Sequence, residues 1–600
     1  MRRTPARSAA ALAATTTAAL AAALLATPAQ AGPPVDPAGP ASFTRVDLDT
    51  GVAGAAFTVT GSVFGTEQNL ITSAFGAYGP PTGGPPSPPD AGTVQVYRPG
   101  ATIGDWTKVP VLDESAAITF PNQPTLADVD GDGDTDVVVP GGYFFDTYEP
   151  VPGTAKNRGS ITWWENTGAD PAFVRHDVLT AQPWAFHGVQ LADLDDDGND
   201  DIITVGEQGK SPSDPADDLV TLLFLAGNGD GTFDPPVTLA DAGGSLPVVH
   251  DVDGDGRLDI VSAQYFGFPN GPGAVTMPSF MWFQQTGDLG AGGLDASNFS
   301  KHTIATFADT AYGFQIRPVP DLHGDGNVGW VGTNHMSKAG PGGAFIPASE
   351  SVYEFTPGAV VTDPWAVTRL SNPVDAADKI AARKSPGSAA PGVLGYGDID
   401  GDGDIDLAVS GDGDELVVDQ DDPCIAASSC DRRLFWIEQR GDGSFRQHTL
   451  TAPGERFGQA GGAVVADLDG DGANELAFSS FEQNTLAVWT RQGGGAPAVV
   501  AATKIKGFKT TTKKVKKSKT VKDTIKVVPG HDRSVTLQFR TCKPSADCHW
   551  KKYSTHTTNK HGKAKLKYKA KGKKSYWRVK VAGTASAHKA TSGVRKLIRR

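Results

Sequence analysis

Asp128-Val-Asp-Gly-Asp-Gly-Asp-Thr-Asp136-Val-Val-Val139 is one of six copies of a nine-residue acidic pattern, Asp-x-Asp-Gly-Asp-Gly-x-x-Asp, most of which run straight into a short apolar or β-branched stretch. The copies begin at Asp128, Asp193, Asp251, Asp321, Asp398 and Asp467, at separations of 65, 58, 70, 77 and 69 residues. That period is longer than most solenoid repeats and close to one four-stranded propeller blade. The stretches after the loops, such as Asp136-Val-Val-Val, Asp201-Ile-Ile-Thr-Val and Asp406-Leu-Ala-Val, read as strands.

Carboxylates at positions one, three, five and nine converge on one cation only if the chain curls tightly, which requires a residue comfortable at positive φ. The sixth position is glycine in all six copies (Gly133, Gly198, Gly256, Gly326, Gly403, Gly472). An all-oxygen donor set of flexible geometry suits Ca²⁺, whereas Mg²⁺ demands an octahedron and Zn²⁺ favours His and Cys. The expected ligands are Asp128, Asp130, Asp132, Asp136; Asp193, Asp195, Asp197, Asp201; Asp251, Asp253, Asp255, Asp259; Asp398, Asp400, Asp402, Asp406; and Asp467, Asp469, Asp471, Glu475. All of them are expected to be committed to the ion. The fourth copy carries His323 at position three and Gly329 at position nine, leaving only Asp321 and Asp325, so little or no ion is expected there and five occupied sites in all.

Aspartate and glycine also mark ordinary solvated turns, but six internally consistent copies outweigh that reading. An EF-hand starts in the same way, yet needs a bidentate acid at position twelve and a following helix. Position twelve is Val139, Thr204, Ser262, Val409 and Phe478 in the copies other than the fourth, and strands follow, which excludes it.

These loops, with the aromatic strand and Gly turn that follow them (Ile161-Thr-Trp-Trp-Glu-Asn-Thr-Gly168, Leu222 to Phe233, Leu434 to Phe445), resemble the FG-GAP and VCBS repeats of integrin α-subunits and secreted bacterial proteins. The likeness covers roughly residues 54 to 502. A further unit lies upstream, where Asn69-Leu-Ile-Thr-Ser-Ala-Phe75 and Val94-Gln-Val-Tyr-Arg-Pro-Gly100 match the two strands but residues 61–69 lack the acids. The resemblance implies an all-β chain with a seven-bladed β-propeller bearing calcium-binding loops. Phe43-Thr-Arg-Val-Asp47 is the candidate strand for closing the last blade.

Residues 1–31 read as a signal peptide. Met1-Arg-Arg is followed by an Ala/Leu stretch and by Ala29-Gln-Ala31, a small-x-small cleavage site. No later apolar run is long enough to span a bilayer. Export makes disulfides the expected state of Cys424 with Cys430 and Cys542 with Cys548.

Charge divides the remainder. Residues 503–600 hold 30 Lys and Arg against three acids, so the expected 32–502 propeller and leader hold the remaining 24 of 54 basic and 65 of 68 acidic residues. In the tail, Thr524-Ile-Lys-Val-Val, Ser534 to Arg540 and Tyr576-Trp-Arg-Val-Lys-Val alternate as an antiparallel β-sandwich would, and the tail resembles the Ig-like modules of secreted actinobacterial proteins. Its charge suits an anionic cell-wall polymer, with a merely solubilising lysine surface as the alternative. No nucleic-acid motif is present.

The function expected is that of a secreted binding or adhesion protein for extracellular glycan or protein ligands, with the cell wall as a further site of association. The alternative is a calcium-dependent polysaccharide lyase or sugar dehydratase. Residues six before each loop (Asn122, His187, Ser245, Gln315, Gly392, Gly461) are expected at the channel mouth, and His187, within Trp184-Ala-Phe-His187, is the one candidate base. No acid/base pair repeats and no nucleophile motif occurs, which favours binding over catalysis.

Overall fold

The computed structural model describes residues 35–36, 43–65, 67–77, 91–144, 157–168, 172–209, 218–268, 275–287, 293–334, 351–371, 390–412, 434–440, 443–451, 457, 460–481, 483–491, 504–517, 519–528, 533–541, 550–581 and 590–600. The cleavage site and all four cysteines lie outside the described residues.

The chain is all-β. Seven successive sheets occupy the acidic part, antiparallel throughout except where Val35–Asp36 adds in parallel to Phe445–Thr449 of the sixth, and in most of them the chain meanders through four neighbouring strands. The first comprises Ala55–Gly61, Asn69–Ala74, Thr93–Pro99 and Trp106–Leu112, the upstream unit that the sequence placed there. The second comprises Thr125–Ala127, Asp136–Gly141, Gly159–Asn166 and Phe173–Gln182. In the second to seventh sheets, one of the six loops joins the first strand to the second. The ninth loop residue opens that second strand in every loop but the fourth, as with Asp201–Gln208 and Glu475–Ser480.

The second strands are buried on both faces, as in Asp136–Gly141 and Asp201–Gln208, which is why they read as continuous apolar runs. Alternate residues of such a strand serve different neighbours. Val137 and Val139 pack with the first sheet, while Val138 packs with the third. Ile203 and Val205 pack with the fourth, and Ile202 with the second. The same sharing links the fourth to the fifth, the fifth to the sixth and the sixth to the seventh sheet. Leu70 and Tyr97 of the first sheet share a core with Val464 and Val488 of the seventh.

The seventh sheet combines strands far apart in the chain. Its outer strand is Phe43–Asp49, paired antiparallel to Thr485–Arg491 with Phe43 opposite Arg491 and Val46 opposite Val488. This is the pairing expected of Phe43–Asp47.

The basic tail has a core of its own, built by two sheets. One contains Lys504–Lys506, Val521–Val528 and Lys563–Tyr568; the other contains Lys513–Val515, Arg595–Arg599, Lys574–Val581, Ser534–Arg540 and Lys551–Thr557. Trp577, Tyr568 and Leu537 lie at its centre, and a buried pair from Asp523 to Arg595 (Oδ2 to Nη1, 2.5 Å) crosses it.

Candidate functional site

Each acidic loop is a chain of side-chain-to-backbone turns. In the first, the Gly133 N–H donates to Asp128 Oδ2 (3.1 Å), the Asp132 N–H to Asp130 Oδ1 (3.2 Å) and the Asp134 N–H to Asp132 Oδ1 (2.9 Å). The same three bonds recur in the second, third and sixth loops, for example at Gly198, Gly256 and Gly472. The sixth position lies at positive φ, as the sequence required, but so does the fourth: Gly131 at 77° and Gly133 at 96°. The second loop has Asp196 at the fourth position, held at φ 61°, where aspartate is tolerated better than most side chains.

Five loops gather acids closely enough to hold a metal ion, with candidate oxygens within 4.8 Å of one another. The groups are Asp128, Asp130 and Asp136; Asp193, Asp195 and Asp197; Asp251, Asp253 and Asp255; Asp398, Asp400 and Asp406; and Asp467, Asp469 and Glu475. The donor set is all carboxylate. Asp251 Oδ1 and Asp467 Oδ1 are buried without a hydrogen-bond partner, a costly arrangement for an anion that a coordinated cation would relieve.

The ninth acid corrects the expectation that every loop carboxylate serves only an ion. Asp136 is fully buried; its Oδ2 accepts from Val129 N–H (2.9 Å) and its Oδ1 from Asn166 N–H (2.8 Å). Asp201 bridges Leu194 and Gly227 in the same way, Asp259 bridges Val252 and Gln285, and Asp406 bridges Ile399 and Gln439. The acid thus fastens the loop to the end of the third strand, and a carboxylate has lone pairs left for an ion. Burial, with the neighbouring acids adding to it, pushes these groups up: Asp136 and Asp201 to about 6, Asp259 to about 7, and Asp406 and Glu475 to about 8. Charge in such a place calls for a proton or a cation.

The fourth loop forms no such group among the described residues. Leu322, fully buried, fills the space beside Gly329, where a Cβ would stand 2.6 Å from Leu322 Cδ2. His323 Nε2 pairs with Glu354 Oε1 at 2.5 Å. A lysine from the tail enters instead: Lys580 Nζ donates to Gly324 O (2.9 Å) and lies 3.7 Å from Asp321 Oδ1.

His187 lies in the interior, 6% exposed. Its Nδ1 is 2.8 Å from Glu207 Oε2, which also accepts from Ser245 N–H, and its ring stacks on Phe144 at 3.9 Å. The rings that cover the imidazole, Phe144 and Phe314, come from elsewhere in the chain and not from the Trp184 and Phe186 that flank it in sequence.

First strands from all seven sheets line a cavity of about 410 Å³. Of the six residues counted back from the loops, only Gln315 borders it; most of the wall comes from residues two to five before each loop, such as Gln123, Gln190, Tyr396 and Val464. Arg317 is the single charged residue in that wall. It donates to Leu394 O (2.8 Å), faces the Tyr396 ring at 5.3 Å and has no ion-pair partner among the described residues. No feature of the sequence pattern distinguished it.

A family model for FG-GAP-like repeats matches residues 398–478, the span from the start of the fifth loop to the strand after the sixth. No curated protein matches the chain. Among solved structures, it is similar to Escherichia coli alpha-2-macroglobulin activated by porcine elastase, at 9% identity over 93% of this chain and 43% of that one, with a TM-score of 0.14. Trypsin-activated alpha-2-macroglobulin from Escherichia coli gives 9% identity, 95% and 43% coverage and a TM-score of 0.15. The chain spans less than half of either, and likeness at that level carries no argument. No described helix is long and apolar enough to cross a membrane.

Proposed function

We propose that residues 32–502 form a seven-bladed β-propeller of the FG-GAP/VCBS type, stabilised by Ca²⁺ in five loops, and that the exported chain is a binding or adhesion protein. The observation that carries the proposal is the set of five acid clusters, each at the same place between the first and second strands of a sheet. The FG-GAP-like match supports the repeat type. The shared cores that link each sheet to the next and the seventh to the first support a closed ring.

In this reading the ions order turns and stiffen the scaffold, and the ligand is an extracellular glycan or protein met by exposed loops or by the axial cavity. There Arg317 would face an anionic group of the ligand. The tail, residues 503–600, is an Ig-like sandwich that tethers the molecule to an anionic surface. The lyase or dehydratase alternative depends on His187 as base, and a ring stacked on Phe144 and bound to Glu207 suits packing better than proton abstraction.

Equilibrium dialysis against millimolar Ca²⁺, followed by glycan and matrix-protein arrays with and without chelator, tests the proposal. About five ions per chain and chelator-sensitive capture without turnover are expected. Absence of retained Ca²⁺ overturns it. Chelator-sensitive release of unsaturated uronate, abolished by His187→Ala, would establish the enzyme instead.

A further inference from the structure

The three-stranded sheet of the tail sorts its residues by parity. In Val521–Val528, Val521, Asp523, Ile525 and Val527 are buried while Lys522, Thr524, Lys526 and Val528 are exposed. Lys563–Tyr568 repeats this with Lys563, Lys565 and Lys567 outward. Lys504 and Lys506 are exposed on the remaining strand. One face therefore carries seven lysines and no acid.

Register brings them together. Lys522 stands opposite Lys567, Lys526 opposite Lys563, and Lys506 opposite Lys526 from the other side, with Lys565 opposite Thr524. Cross-strand neighbours are about 5 Å apart and alternate residues along a strand about 6.6 Å, so the ammonium groups form a grid. Like charges directly opposite each other destabilise a sheet. Among the described residues none of these lysines has an acidic partner. Five of the seven stand on the two edge strands, where lysine also guards against edge pairing, but Lys522 and Lys526 stand on the central strand, which has no free edge to guard.

The other sheet faces the opposite way. Its outward residues Arg578 and Lys580 meet the fourth acidic loop, with Lys580 bound to Gly324 O. That contact turns the lysine grid away from the acidic part of the molecule.

We propose that this face is a docking surface for a linear phosphate-bearing polyanion, read by charge alone. The inference rests on the tethering role given to the tail and names its surface and partner class. The grid carries no aromatic side chain, so neither bases nor sugar rings have a platform to stack on. Point-charge ammonium groups at regular spacing match a repeated phosphodiester or phosphoanhydride chain without rings. Binding would proceed by counterion release and weaken steeply with salt.

The test uses the full chain with Ca²⁺ and inorganic polyphosphate as the probe, with heparin and single-stranded DNA as comparison probes. The variant Lys522→Gln/Lys526→Gln/Lys565→Gln is compared with Lys514→Gln/Lys551→Gln/Lys552→Gln, which removes the same charge from the other sheet. At about 0.15 M salt the face variant is expected to weaken polyphosphate binding at least tenfold and to lower the slope of log K against log salt by about two, at roughly 0.7 per contact. The control triple should weaken it less than threefold. An unchanged melting temperature for the face variant shows that the fold survives, and a higher one that like-charge repulsion was relieved as well. Equal loss in both triples, no binding by the parent chain, or tighter binding of heparin or DNA overturns the proposal. Because the probe engages the tail, failure here leaves the Ca²⁺ and ligand-capture results of the propeller standing, and the reverse also holds.

Discussion

Removing Ca²⁺ should destabilise the protein more at pH 8 than at pH 5. Without a cation, the buried ninth-position acids have folded-state values of about 6 to 8 against ordinary values near 4. Between those limits the folded state binds more protons than the unfolded chain, so the stability of chelated protein falls as pH rises from about 4 to 8. A cation takes the proton's place, and its contribution grows across the same window. For Kd near 3 × 10⁻⁴ M and about 2 mM Ca²⁺, each site contributes about 1.2 kcal/mol, and five clusters about 6 kcal/mol. At about 2.1 cal/mol/K per residue over roughly 450 residues, that corresponds to a melting shift of about 6 °C. Calorimetry in 2 mM Ca²⁺ or in EDTA at pH 5, 6.5 and 8 should give melting curves that converge at the acid end and separate at the basic end. A Ca²⁺ increment that is absent at pH 8, or larger at pH 5, would refute the argument.

Three further outcomes follow from the loops. Asp201→Asn replaces one acceptor oxygen with a donor, so one of the Leu194 and Gly227 amides loses its partner; a cost of about 1–3 kcal/mol is expected with Ca²⁺ present, and hydrogen exchange at those two amides should speed up, whereas Asp195→Asn should leave them protected. Gly329→Asp, which supplies the missing ninth acid of the fourth loop, sets a Cβ 2.6 Å from Leu322 Cδ2 and should destabilise by about 1–3 kcal/mol in urea unfolding without adding an ion to the metal count. Lys580→Glu puts a carboxylate beside Asp321 and should free the tail from the fourth loop, read as a larger radius of gyration in small-angle scattering with an unchanged far-UV circular dichroism spectrum.

What the sequence made legible was local. Loop, turn and strand follow one another within a dozen residues, so the acid clusters, the positive φ at Gly133 and the strand at Asp136 could all be read from spacing. Three features depend on contacts far apart in the chain. Pairing of Phe43–Asp49 with Thr485–Arg491 could be expected but not decided. The arrival of Lys580 in a loop more than 250 residues earlier left no trace in that loop beyond its missing acids. The double duty of the ninth acid was hidden because a metal ligand and an amide acceptor are the same side chain. The lysine grid stood between these cases. The alternation of Thr524-Ile-Lys-Val-Val was read from the sequence, but only the register with Lys563–Tyr568 makes it a surface.

The upstream sheet separates the two duties of the loop. Residues 61–69 have no acid at the first, third, fifth or ninth position, their single acid being Glu67 at the seventh, yet Asn69 opens the second strand where Asp136 and Asp201 open theirs, and it is equally buried. Its Oδ1 accepts from Val63 N–H and Phe64 N–H, both at 3.0 Å, while its Nδ2 has no hydrogen-bond partner. A neutral side chain therefore keeps the fastening to the loop where the acid cluster is missing. In the fourth loop the reverse has happened: the ninth position is glycine, Leu322 fills the space, and Lys580 supplies the positive charge. The amide fastening and the acid cluster are thus separable devices that coincide in five loops. That separation explains how a repeat of this kind can lose its acid cluster without losing its strand.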